Sequence, residues 1–168
     1  DVPVDIVLEE GVTLIKSSKL DISTKNHLFR TSQVFLFPCL HDSFGVYLEC
    51  LSYGLPVITT NIYDKSEIVI NNNTGYLLDT PIQLYDNGFA KQWHNWDEFQ
   101  KTVRLAFIDG QFNDMIYEMV EKVEYLIENR RELNILSENS KDFCLDQLHF
   151  VKKNNLVREM YEEALKNR

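Results

Sequence analysis

Short apolar runs alternate with helical spacings along the first half of the chain, and the alternation breaks near residue 80. VDIVL (4–8) and VTLI (12–15) read as strands. DISTKNHLFRT (21–31) reads as a helix, with Asp21 and Ser23 as cap candidates and Ile22, Leu28 and Phe29 as its apolar stripe. QVFLFPC (33–39) is an unbroken apolar run ended by Pro38, the pattern of a parallel strand buried on both faces. GVYLECLSYG (45–54) predicts a helix closed by Gly54, and LPVITT (55–60) a second buried strand. KSEIVIN (65–71) predicts a short helix, NNNTG a turn, and YLLD (76–79) a further strand. Strands and helices alternating through tight loops predict βαβ units, hence an α/β fold with a parallel sheet.

The second half has a different period. Residues 80–96, TPIQLYDNGFAKQWHNW, hold both tryptophans and read as an irregular insertion. Beyond them the helical spacing is nearly continuous, with helices predicted over 97–108, 113–128, 130–148 and 150–167. In VEKVEYLIENRREL, Val120, Val123, Leu126 and Ile127 mark an apolar face opposite a solvated charged one. The picture is one domain of 168 residues with a helical C-terminal extension.

Charge and cysteines narrow the function classes. Twenty-six acids against 17 bases give a net charge of −9, which argues against a nucleic-acid partner or docking on anionic lipid through this segment. Cys39, Cys50 and Cys144 are scattered, with no CxxC pair, as expected of reduced thiols in the cytoplasm. No apolar run reaches the roughly 18 residues of a transmembrane helix. The start carries neither a signal-peptide pattern nor an initiator Met, and the chain reads as a fragment that begins in mid-domain.

The stretch richest in chemistry is FPCLHDSFGVYLECLSYGLPVITT (37–60), a strand–loop–helix–strand junction. Ligands of open α/β sheets bind at the carboxyl ends of the strands. A helix opening at Gly45 leaves amides of its first turn without intrahelical acceptors, and with the helix dipole these favour an anion such as a phosphate. Gly45 has no Cβ to hold a ligand off the backbone. Asp42 precedes the helix and Glu49 lies one turn inside it, on the face of Gly45 and Val46. Two readings fit each acid: Asp42 as an N-cap or a contact to sugar hydroxyls, Glu49 as a dipole-favoured or solvent-edge acid or a pocket residue. His27, His94 and His149 have no nucleophilic partners at useful spacing and read as structural, and Cys50 reads as core.

The ordered set of motifs resembles the C-terminal half of GT-B glycosyltransferases of the family-4, or group 1, type. The residues that carry the resemblance are Pro38, the Asp42–Gly45 loop, Glu49, Gly54–Ile58, Glu67–Val69 and the Thr74–Leu77 turn. It covers residues 12–79 well and extends more weakly to the tail, where FCLDQLHF…MYEEAL resembles the family's closing helices. The resemblance implies a Rossmann-like parallel sheet, the nucleotide-sugar-binding half of a retaining enzyme that needs no metal and no separate cofactor. It implies that Asp42 contacts the donor sugar as the catalytic-site acid and that Glu49 binds the ribose. Ser43, Phe44, Gly45, Val46 and Tyr47 then form the donor-binding segment, their backbone amides toward the sugar and diphosphate. The acceptor, a saccharide or a lipid-linked one, would be held by an N-terminal domain not in this chain, toward which the terminal helix (150–167) packs. Without that domain the fragment is expected to be inactive, and that domain is also the expected route to any peripheral membrane association of a cytoplasmic enzyme.

Three departures from the family pattern stand out. The first acid is Asp rather than Glu, and six residues separate it from Glu49 where the family has seven. A one-residue deletion rotates the second carboxylate by roughly 100° if the helix start is kept. No basic clamp for the diphosphate is found, since Lys16 and Lys19 read as surface residues. Two other readings therefore stand beside the enzyme: a catalytically inactive glycosyltransferase-like subunit, and an unrelated Rossmann-like nucleotide-binding module.

Overall fold

The computed structural model describes residues 10–12, 21–40, 44–63, 65–82, 85–86, 89–90, 96–147 and 150–166. The strands expected at 4–8 and 12–15 lie outside these residues apart from Val12, as do Lys16, Lys19, His94 and His149. The chain divides into two units, Asp1–Thr31 and Ser32–Arg168.

In the first unit, α1 (Ile22–Thr31) starts where the sequence places a cap. The Thr24 amide donates to Asp21 Oδ1 at 2.7 Å, so Asp21 is the N-cap and satisfies one of the helix's orphan donors. Phe29 is buried, but Ile22 is 75% exposed and does not belong to the stripe expected of it.

The second unit is built on three short strands: β1 (Phe35–Phe37), β2 (Val57–Thr60) and β3 (Gly75–Leu78). They pair in parallel in the order β1-β2-β3, with Phe35 opposite Val57 and Val57 opposite Gly75. The crossovers are α2 (Phe44–Ser52) and the single turn α3 (Lys65–Ile68), so the βαβ expectation holds. β2 is central and wholly buried, as its apolar sequence requires. β1 departs from expectation: Leu36 is 44% exposed, and among the described residues β1 pairs only with β2. Gly75 is demanded by close approach, since a Cβ there would overlap the Val57 carbonyl oxygen of the next strand.

The turn residues act where the sequence puts them. Gly54, at φ +74°, ends α2 in a Schellman arrangement. The Leu55 amide reaches back to the Cys50 carbonyl (3.0 Å) and the Gly54 amide to that of Leu51 (2.9 Å). A Cβ on Gly54 would meet Ser137 and Lys141 of the sixth helix, described below. Asn72, at φ +59°, turns the chain from α3 into β3.

Within the region read as an irregular insertion, β4 (Tyr85–Asp86) and β5 (Phe89–Ala90) form a two-rung antiparallel pair. The remaining helices are α4 (Trp96–Ile108), α5 (Asn113–Glu128), α6 (Arg130–Gln147) and α7 (Phe150–Lys166). α6 packs on α2 and α5, and α5 also covers β3. The core joins Ile58, Tyr76 and Leu78 of the sheet to Phe99, Leu126 and Leu136 of the helices. On α5 the stripe runs through Met115, Met119, Val123 and Leu126, while Val120 and Ile127, expected on it, are exposed. The i, i+4, i+8, i+11 spacing is the better helical stripe, and the helix turns that one inward.

Candidate functional site

Parallel strands bring all their carboxyl ends to one edge, and here that edge is tied by side chains rather than by apolar packing. Thr59 Oγ1 donates to the Phe37 carbonyl at 2.8 Å. Its hydrogen being committed there, the Tyr47 hydroxyl is the donor across the 3.1 Å contact to Thr59 Oγ1. Thr60 Oγ1 donates to the Cys39 carbonyl, two residues beyond β1. Lys65, at the start of α3, is fully buried (0% exposed). Its Nζ donates to that same Cys39 carbonyl and to Thr60 Oγ1 (2.9 Å), and lies 5.5 Å from the centre of the Tyr47 ring. An ammonium out of water needs such partners, and the aromatic face adds a cation–π attraction.

Asp42 and Ser43 fall outside the described residues, and of Phe44 only the backbone is described. α2 opens at Phe44, one residue earlier than expected, so among the described residues the amides of 44–46 begin the helix without intrahelical acceptors. Gly45 is exposed, and among the described residues nothing beyond its own helix backbone and chain neighbours stands within 4 Å of the position a Cβ would take. Val46 is half-buried. The Tyr47 side chain turns into the core, where its ring also meets Phe37 edge-on at 5.7 Å. Glu49 is half-buried, on the helix flank that carries exposed Gly45 and Ser52 and away from the buried Tyr47–Cys50–Leu51 face. Helical geometry thus keeps Gly45 and Glu49 on one side of α2, as the spacing predicts.

Two hollows adjoin this body. A cavity of about 980 Å³ lies beside the end of β1, lined by Pro38 and Leu40 and by the Phe99, Val103, Arg104 and Phe107 side of α4. A second, of about 500 Å³, lies between Tyr76 and the acids of α5 and α6, Glu121, Glu128 and Glu132 among them. Burial, with the Glu132 charge second, pushes the Tyr76 phenol above its ordinary range, and Lys122 stands over its ring at 5.0 Å. Among the described residues no three His, Cys, Asp or Glu side chains converge as metal ligands would.

Sequence reasoning missed Lys65 and the two threonines. A lysine opening a short helix reads as surface. The available signal was the Thr59-Thr60 tandem at the end of an apolar strand, where buried hydroxyls require partners.

The architecture is a Rossmann-like α/β unit with the N-terminus of α2 at its carboxyl edge. Residues 8–132 match the family model for glycosyl transferases group 1, and the chain belongs to that family. It is also similar to the capsular polysaccharide biosynthesis glycosyltransferase CapM of Staphylococcus aureus, with 36% identity over 70 residues. That match covers 41% of this chain and 17% of the relative's length. No helix among the described residues is long and apolar enough to cross a membrane.

Proposed function

We infer that this chain is the donor-binding half of a glycosyltransferase that transfers a hexose from a nucleotide-sugar to an acceptor hydroxyl, with retention and without a bound metal. The observation that carries the reading is the start of α2, with its exposed Gly45, at the carboxyl edge of a parallel sheet, with Glu49 on the same helix flank. The diphosphate takes the amides of Phe44, Gly45 and Val46, with Ser43 and the Tyr47 backbone completing the segment. Asp42 meets the sugar hydroxyls and Glu49 the ribose. Retention and independence from a metal follow the group 1 pattern that the motifs resemble.

The acceptor in this reading is a saccharide or a lipid-linked one, held by an N-terminal domain outside this chain. The likeness to a capsular polysaccharide enzyme supports a saccharide product. α7 exposes Leu156, Val157, Met160, Tyr161 and Leu165, apolar residues spaced along one side of a helix, and this supports its packing toward that domain. The shortened spacing from Asp42 to Glu49 favours a second reading, an inactive subunit that binds nucleotide without transferring sugar.

Calorimetric titration of the full protein with UDP, GDP and ADP, and with their sugar conjugates, tests the donor site. One nucleoside diphosphate is expected to bind, and Glu49→Ala to weaken it by about 1–3 kcal/mol, the scale of a charge-assisted hydrogen bond. Binding by none of them, or an unaltered affinity in the variant, defeats the assignment. Binding without sugar transfer to any acceptor selects the inactive subunit.

A further inference from the structure

Lys65 is the one described lysine or arginine that is wholly buried, and neither its backbone position nor its chain length explains why. A methionine would fill the same volume without dehydrating a charge, and removing water from an ammonium is costly unless fixed partners replace it. Those partners are specific here. The Cys39 carbonyl lies two residues beyond the end of β1. The Tyr47 ring is in the first turn of α2. One ammonium therefore joins the end of β1 to the start of α2. Thr60 Oγ1, which donates to the Cys39 carbonyl and accepts from Lys65, locks this grip to the end of β2. The backbone of Lys65 is itself held: its amide donates to the Ile62 carbonyl at 3.2 Å, and its carbonyl receives the Val69 amide at 2.7 Å.

We propose that Lys65 is a positioning residue: it ties the first turn of α2 to the end of β1, and so sets where the start of α2 stands to receive the donor diphosphate. The role rests on the donor-site reading above. Lys65 itself is fully buried. Fixing the start of α2 against the end of β1 removes conformations that binding would otherwise have to remove, so the tie acts as preorganisation. A hydrogen-bonding cation does this better than an apolar side chain because its bonds are directional, whereas apolar contact is not.

The test compares Lys65→Met, Lys65→Arg and Thr60→Val in the full protein, with two readouts. Amide hydrogen exchange without ligand is followed at residues 44–48 against residues 133–140 of α6. Affinity for whichever of UDP, GDP and ADP the unaltered protein binds best is measured by calorimetry. Lys65→Met is expected to speed exchange at 44–48 by tenfold or more, leave α6 unchanged, and weaken the nucleotide by a comparable factor. Lys65→Arg, which keeps the charge and the donors, is expected to recover most of both. Faster exchange everywhere, unchanged exchange at 44–48, or a local change with unaltered affinity each overturns the proposal. If Lys65→Met fails to fold, Thr60→Val decides on the same two readouts, because it takes one partner and leaves the lysine in place. If the unaltered protein binds no nucleotide, the donor-site reading falls by itself, and the exchange arm still decides whether Lys65 fixes the start of α2.

Discussion

Two regions of the same sheet are held together by different means. On the side of α5 and α6, Ile58, Leu78, Leu126 and Leu136 interlock through their apolar side chains. At the carboxyl edge, Thr59, Thr60, Lys65 and the Tyr47 hydroxyl are just as buried, yet each acts through a directed bond. Apolar burial scales with area and tolerates small shifts, so it suits a body that only has to stay folded. Hydrogen bonds fix distance and angle, so they suit the edge from which a binding helix starts.

Substitutions can separate the two. The largest effect is expected at Leu136, which has no exposed surface. Leu136→Ala should lower the unfolding free energy by about 2–5 kcal/mol through lost burial and the cavity left behind. Denaturant titration measures this, and the folded fraction should keep its nucleotide affinity. A loss below about 1 kcal/mol would move the centre of stability away from α6. Thr59→Val comes next, at about 1–2 kcal/mol, because it strips the Phe37 carbonyl and the Tyr47 hydroxyl of a partner while preserving volume. Its mark is regional: exchange at the start of α2 should rise more than exchange in α6. Equal acceleration in both would erase the contrast drawn here.

The smallest effect lies in the first unit, at the N-cap of α1. The Thr24 amide holds the Asp21 carboxyl below its ordinary range. Since the folded pKa is depressed, the cap's contribution is present above the unfolded value of about 3.9 and is lost as pH falls through the folded one. Asp21→Asn keeps a capping oxygen but abolishes the titration. Helical signal from residues 22–31, followed by NMR from pH 6 to 2, should fall in the parent protein and stay flat in the variant.

Local rules were legible in the sequence. The helix expected at 113–128 has those bounds, the one expected at 97–108 starts one residue earlier, and the one expected at 130–148 holds through 147, the last described residue there. Gly54, Asp21 and the Asn-rich turn act as their chemistry predicts. What escaped depends on neighbours distant in sequence. An apolar run such as QVFLFPC gives no sign of which of its faces is covered in the fold, so it does not foretell the exposure of Leu36. The burial of Lys65 is likewise a property of three other elements, to which its own neighbours in sequence are blind. Of the stretch from Asp42 to Glu49, the helical spacing alone foretells that Gly45 and Glu49 share a flank of α2.

The end of α2 carries a last consequence, for how this sequence can drift. Gly54 is needed for its left-handed backbone, but the room it leaves is already occupied by Ser137 and Lys141 of α6. Positions 54, 137 and 141 thus share a single volume, and a gain at one must be matched by a loss at another. A change that looks like a harmless loop substitution at 54 would register as a displaced helix, and enlarging residue 137 would press on a turn in another part of the chain. Mutational tolerance at these three positions should therefore be joint, and scanning any one of them alone will understate it.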